Sequence, residues 1–377
     1  MTPGRESAGP RRIYVDRTHL RGHVTGIERV TLDLFAPERL APHEVRAINS
    51  ASLPGMVARQ QVGLPLRALA DPRALFVFPG FPPGVLCRVA AERCLLYVHD
   101  TFLLTRPQDL SLRTRIYMSP GFALALCWCR NLFVNSRTTG EAVRAHCLPD
   151  ARIALLRPGV RDVFGLADGL GPARYEPGAP LRLLMIGTIE PRKDYPAALA
   201  LTEALVRLGV PAELHVVGRA GWGRHPFLDH PPPFLHLHGY VTDAALRDLV
   251  GRCHLMLTTS KAEGLGLPLL EVQHGGVPVV APDGAVFREV LAGSGLHIRP
   301  GAPDEAASGL AAWAASGGLT RAGPASRANV ARWNALAEAD AGRLRRFLAG
   351  EPGAYAEPDA RIAVSGASCA QADAGSA

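Results

Sequence analysis

Short apolar runs punctuate this chain at intervals that suit strands alternating with helices. In the first half they are Arg12–Asp16, Val45–Asn49, Leu75–Phe78, Cys94–Val98, Leu132–Asn135 and Arg152–Leu156. In the second half they are Leu181–Thr188, the start of Glu213–Gly221, the start of Leu235–Leu246, Cys253–Leu257 and Val277–Ala281. Leu181–Thr188 is the clearest of them as a buried strand. Helical patterns fall between them. One opens at Thr25, where Thr25 and Glu28 form a capping box, and runs through Leu34; others span Ala197–Leu208 and Asn329–Leu348. Strands alternating with helices predict an α/β protein with doubly wound parallel sheets.

The pattern also predicts boundaries. Gly165–Pro180 is rich in glycine, alanine and proline, has no apolar period, and reads as an interdomain linker. The expected organisation is a flexible start (1–11), one domain over 12–164, the linker over 165–180 and a second domain over 181–349. The residues beyond, 350–377, carry few large apolar side chains and read as a disordered tail. The final helix, with Trp333, is expected to pack back on the first domain.

A length of 377 residues allows both domains their own cores. The net charge of +7 rests almost wholly on arginine, because Lys193 and Lys261 are the lysines of the chain. No basic block with interleaved aromatics appears, so nucleic-acid binding is not expected. A moderate positive balance suits anionic small molecules, or loose attachment to an anionic membrane surface. The seven cysteines are scattered through apolar runs and read as buried free thiols of a reducing compartment. The opening residues lack the apolar core of a signal peptide, and Gly121–Val134 is too short and too interrupted to span a bilayer. The expected location is cytoplasmic, with peripheral attachment at the membrane face as an extension.

The chemistry concentrates in Leu257–Ala281, which reads strand, glycine loop, short helix, glycine stop, strand. Gly264 and Gly266 let the backbone turn tightly beside a ligand; Pro268 suits a helix start. A helix N-terminus favours an anion. Glu263 in the loop and Glu271 in the helix frame that place, offering acceptors for hydroxyls beside donors for phosphate. Either glutamate alone would read as a loop residue or a solvated helix residue. A second basic element, Ile189–Asp194, follows the strand Leu181–Thr188 and contains Arg192 and Lys193. A lysine retained in an arginine-dominated chain suggests a compact point charge beside a planar fork, two cations suited to a diphosphate. His99 and Asp100 stand directly after the strand Cys94–Val98, where ligands sit in doubly wound sheets. A histidine there is equally at home as a structural hydrogen-bonding residue.

These segments together resemble the family 4 retaining glycosyltransferases (glycosyl transferases group 1), and within them a subgroup that often builds polysaccharides. Glu263 to Ala281 is similar to the family's E-x7-E signature, with Leu265 in place of the usual aromatic, and Gly187–Asp194 to its basic motif, with Asp194 replacing an asparagine. The resemblance implies the GT-B fold, two Rossmann-like domains facing across a cleft. It further implies transfer of a hexose, mannose-like by preference, from a nucleotide-sugar donor to a glycan or lipid-linked acceptor, without a bound metal or other cofactor. On that resemblance His99, Glu263, Arg192 and Lys193 carry catalysis. The donor is held by Gly26, Gly187, Arg192, Lys193, Tyr240, Val241, Gly264, Leu265, Gly266, Leu267 and Glu271, and Thr25 and Asp100 lie on the acceptor side. Acceptor contacts are expected from the loops over 48–81 and 102–118. Two other classes stay open: a sugar-nucleotide epimerase of the same architecture, and a non-catalytic nucleotide-sugar-binding scaffold.

Overall fold

The computed structural model describes residues 9–20, 26–167, 171–351 and 353–355. It divides into two compact units, one of residues 1–158 and 336–377, the other of residues 159–335. In the first unit, β1 (Arg12–Asp16), β2 (Glu44–Ile48), β3 (Leu75–Phe78), β4 (Cys94–Val98), β5 (Asn131–Val134) and β6 (Arg152–Leu155) form one sheet. Its order is β2-β1-β3-β4-β5-β6, and every pairing is parallel. The strands β3, β4 and β5 are buried at every position, as apolar sequences require when helices cover both faces; the polar Asn131 of β5 donates to the carbonyls of Glu92 and Cys94.

The second unit repeats the plan with β7 (Leu181–Ile186), β8 (Ala212–Val217), β9 (Leu235–Gly239), β10 (Leu255–Leu257), β11 (Val279–Pro282) and β12 (Leu296–Ile298). Here the order is β12-β11-β10-β7-β8-β9, again wholly parallel. The first strand of the unit therefore lies beside the fourth, and the winding reverses between them. Loops after β7 and β10 flank this switch point, where such sheets bind ligands.

Several expectations need correction. The break between units falls at Pro158/Gly159, so residues 159–164 belong with the second unit. The backbone N–H of Val160 donates to Asn334 Oδ1 at 2.7 Å and its carbonyl accepts from Asn334 Nδ2 at 3.0 Å, which ties that segment to the unit's last helix. That helix runs over Gly318–Ala349, well before the expected start at Asn329. Glycine, proline and serine in its first turns argue against helix locally. Packing overrides propensity there: Leu319 and Ala322 are buried, and Arg327 donates to the carbonyl of Gly275 at 2.9 Å. The helix from residue 336 onward groups with the first unit. Asp340 anchors it through an ion pair with Arg157 at 2.9 Å, both side chains buried.

The tail does not begin unstructured at Gly350, because Ala354 is buried and the Tyr355 hydroxyl donates to Asn131 Oδ1 at 2.8 Å. Its ring lies 5.9 Å from that of Phe133, apolar contact that the tail's composition hides. Residues 356–377 lie outside the described residues, as do 1–8, Thr25 and hence the capping box. Arg11, placed in the flexible start, donates its backbone N–H to His43 Nδ1. Of the cysteines, Cys127 is exposed rather than buried, at the end of its helix. The helix after β5 is capped by Ser136, which accepts from the Thr139 N–H at 3.1 Å.

Candidate functional site

Two loops build the site of the second unit. After β7 the chain passes Gly187 and makes one turn of 3-10 helix over Pro191–Lys193. It then enters the helix Tyr195–Arg207 through Asp194, whose φ of 50° is left-handed. That conformation suits the asparagine of the family pattern and is tolerated by aspartate. The loop is held from several sides. Tyr195 donates its hydroxyl to the carbonyl of Gly187 at 2.9 Å, and Thr259 Oγ1 donates to the carbonyl of Asp194 at 2.9 Å. Gly218, at the end of β8, lies so close beneath it that a Cβ there would stand 1.8 Å from the Gly187 oxygen. Only glycine allows that approach.

After β10 the loop Thr258–Gly266 brings Glu263 against those cations. Lys193 Nζ lies 2.6 Å from Glu263 Oε1, and Arg192 Nη1 lies 2.8 Å from Oε2. Arg192 also donates to the Ala262 carbonyl at 2.8 Å and pairs with the buried Glu190 at 2.5 Å. The Lys261 N–H in turn donates to the Arg192 carbonyl at 2.9 Å, so the two loops are laced together by backbone as well as charge. Burial pushes the Glu263 carboxyl up, but Lys193 and Arg192 outweigh it and bring its pKa to about 2. Glu263 is therefore an anion at every working pH, held in place with an N–H or ammonium on each oxygen.

Beyond it, Gly266 turns at φ 80° into the helix Leu267–Glu271, which continues as a 3-10 turn over Val272–Gly275. This helix is too short for a strong dipole, and Pro268 has no N–H to offer while the Leu269 N–H is already given to Gly266. The expected anion-favouring helix end is thus reduced to few free N–H groups, and Arg192 and Lys193 stand as the fixed positive charges beside it. Glu271 is buried at 3% exposure, not a solvated helix residue. The Leu265 side chain belongs to the unit's apolar core, and the half-buried Leu267 packs against that core.

Tyr240 and Val241 follow β9 and do not join the Glu263 cluster through any contact among the described residues. Tyr240 is 71% exposed with Arg219 stacked over its ring at 4.6 Å, while Val241 packs on the core. Thr242 caps the next helix, accepting from the Ala245 N–H at 3.3 Å. Sequence reasoning missed Glu190, Tyr195 and Thr259, which hold Arg192 and the loop in place. Their signal was position: Glu190 and Thr259 lie within a few residues of a strand's carboxyl end, and Tyr195 opens the helix that follows β7.

In the first unit, His99 directly follows β4 and stacks edge-on against Tyr97 at 4.8 Å. Its Nε2 lies 2.6 Å from the Pro79 carbonyl, and since a carbonyl only accepts, Nε2 carries the proton. Burial lowers the His99 pKa to about 4, so the ring is neutral at pH 7. Asp100 accepts from the Phe102 N–H at 2.9 Å and so also serves the turn that follows. Asn135 donates to the His99 carbonyl at 2.8 Å. Gly26 is the first residue of the helix Gly26–Leu34; its neighbour Thr25 lies outside the described residues.

Comparison with known proteins falls into place on this frame. Residues 180–315 match the model of "Glycosyl transferases group 1". The serotype-specific mannosyltransferase WbdA of Escherichia coli is 32% identical over 141 residues, covering 35% of this chain and 17% of that protein. The chain thus spans a minor part of the length of the curated relatives it matches. Among solved structures, that of Anabaena Alr3699/HepE with UDP and glucose superposes with a TM-score of 0.62 at 17% identity, over 89% of this chain and 99% of that one. The lipopolysaccharide-biosynthesis glycosyltransferase WaaG gives 0.59 at 15% identity, over 90% and 100% of the two chains. Together with the two parallel sheets, these likenesses show the GT-B fold.

Proposed function

We propose that this chain, whose residues 180–315 belong to the glycosyl transferases group 1, is a retaining glycosyltransferase that moves a hexose from a nucleotide-sugar donor to a glycan or lipid-linked acceptor in polysaccharide biosynthesis. One observation carries the reading: Arg192, Lys193 and Glu263 are brought together at the switch point of the sheet, inside the matched segment. A mannosyl donor is favoured by the WbdA likeness. In the reaction the acceptor oxygen bonds to the anomeric carbon while the carbon–oxygen bond to the diphosphate breaks on the same face. The departing phosphate oxygen takes the acceptor's proton. Arg192 and Lys193 bear the charge that builds on that phosphate, and Glu263 accepts hydrogen bonds from sugar hydroxyls, exchanging part of its pairing to the cations for the donor. Glu271 holds the ribose hydroxyls. With two fixed cations opposite the diphosphate, transfer proceeds without a bound metal.

The acceptor side is assigned to the first unit. A cavity of about 410 Å³ there is lined by Leu53, Met56, Val57, Arg113 and Met118, within the two segments expected to meet the acceptor, and by Val85 between them, among others. Beside it Val62, Leu66, Leu69, Val85, Leu86 and Val89 are exposed, on elements that pack against one another. Exposed Arg59, Arg88 and Arg113 accompany them, and the stretches 50–70, 80–91 and 110–126 contain no acidic residue. An apolar face ringed by arginine suits the headgroup layer of an anionic bilayer, and the cavity suits the apolar part of a lipid-linked acceptor. Among the described residues no helix is long and apolar enough to cross a membrane.

The test is a panel of GDP-, UDP-, dTDP- and ADP-sugars in a thermal-shift assay with chelator present, followed by product analysis with the stabilising donor. Binding to the native state raises its midpoint. Stabilisation by one donor, lost in Arg192→Ala, and transfer reduced roughly a hundredfold in Glu263→Ala are expected. Isomerisation of donor without acceptor would assign an epimerase instead. Binding without any turnover, equal in Glu263→Ala, would assign a scaffold.

A further inference from the structure

The two outer strands at one edge of the second sheet carry a cluster of ligating side chains that the transfer reaction does not use. β8 reads Ala-Glu-Leu-His-Val-Val and β9 reads Leu-His-Leu-His-Gly. Alternate residues of a strand share a face, so Glu213 stands with His215, and His236 with His238. The parallel register sets His215 opposite His236, and their rings stack 4.7 Å apart. The His238 ring stacks 5.3 Å from that of His215.

The atoms converge more closely than the rings. His215 Nε2 lies 3.4 Å from Glu213 Oε2, and one ligand atom each from Glu213, His215 and His236 falls within 4.8 Å of the others. Donors of one tetrahedral ion, each about 2.0–2.2 Å from it, stand roughly 3.3–3.5 Å apart. The first pair already has that spacing; His236 joins by turning its ring out of the stack on His215, because an imidazole lone pair lies in the ring plane. The remaining contacts have the form of an outer shell. His215 Nδ1 faces His238 Nε2 at 3.1 Å, which frees Nε2 as a lone-pair donor when Nδ1 keeps the proton. Arg182 Nε steadies Glu213 at 3.3 Å. Ligating histidines and carboxylates are commonly oriented by such partners.

We propose that Glu213, His215 and His236 bind one divalent ion of the zinc class, oriented by His238 and Arg182. Two imidazoles and one carboxylate select a borderline-soft ion over magnesium or calcium and leave the fourth position to water. The site clips the edge strand β9 to β8, immediately before the Gly239–Tyr240–Val241 turn. It is separate from the Arg192–Lys193–Glu263 cluster and leaves the metal-free transfer proposed there unaltered.

The experiment uses the full chain, with any affinity tag removed and metal stripped, titrated calorimetrically with Zn²⁺. One equivalent should bind, the melting midpoint should rise, and Co²⁺ in its place should give the visible ligand-field bands of a tetrahedral site. His236→Gln, on the exposed edge strand where folding is least at risk, should weaken Zn²⁺ binding at least about tenfold, as should His215→Ala. His230→Gln, an exposed histidine elsewhere, should change nothing. Absence of stoichiometric binding would overturn the proposal, and so would affinity equal in all variants, which would mark adventitious surface binding only. Transferase activity is not the readout, so failure here and failure of the proposed reaction are distinguishable.

Discussion

Glu263 is the residue on which charge, burial and chemistry meet. Its carboxyl sits near pKa 2 because Lys193 and Arg192 outweigh the burial that pushes it up. The unfolded chain would titrate it near 4.3. A folded value below the unfolded one means stability that is full above that pH and lost as pH falls toward 2. The denaturation midpoint of wild type, monitored by circular dichroism, should therefore fall between about pH 5 and 2 more steeply than that of Glu263→Gln, which has no carboxyl to titrate there. Removing a cation should act on the ligand. Lys193→Ala should weaken donor binding by about 1.5–3 kcal/mol, read by calorimetry, since it deletes a charged hydrogen-bond donor. His99 runs the same way in a higher window. With a folded pKa near 4 against about 6.5 unfolded, it favours the native state above pH 6.5 and loses that contribution on acidification toward 4. His99→Gln should remove the slope in that window from a plot of stability against pH.

Among elements, the turn at Gly266 and the last helix show how local geometry supports the site. A Cβ on Gly266 would meet Leu269 Cδ1 at 3.0 Å in a left-handed conformation. Gly266→Ala should lower stability by about 1–2 kcal/mol in denaturant titration and weaken donor binding with it, because the same turn aims Glu263. In the first unit, Asp340 on the helix Gly318–Ala349 takes both the backbone N–H and the side chain of Arg157. Asp340→Ala leaves a buried guanidinium short of its partner and should cost about 3–5 kcal/mol, seen as a fall in the denaturation midpoint. These elements were unequally legible. Strands β3 and β4 match their apolar runs residue for residue, since a continuous run covered on both faces has clear ends. The first turns of the last helix were not, because contacts to Gly275 and Val277 outweigh the poor propensity of Gly318, Gly323 and Pro324.

At the scale of the molecule, the positive charge and the exposed apolar side chains of the first unit make a prediction about surfaces. The protein should co-sediment with vesicles containing phosphatidylglycerol and much less with pure phosphatidylcholine, and added salt should weaken the binding. Leu66→Asp together with Val89→Asp should abolish it while leaving donor-induced thermal stabilisation intact. Equal binding to both vesicle types would show that arginine contributes nothing to that face.

The sequence by itself determined the strand and helix alternation, the α/β class, and the two motifs with their cations and carboxylates, because these are matters of local pattern and spacing. It identified His99 as a strand-end residue for the same reason. What it left undecided is which strands become neighbours. Arg192 and Glu263 are far apart in the chain, and only the reversal of winding between β7 and β10 sets them 2.8 Å apart. The same holds for His215 and His236, two unremarkable histidines until the β8–β9 register stacks them. Periodicity is written residue by residue, whereas strand order follows from how two packed layers bury their faces at once, and no single stretch of sequence carries that information.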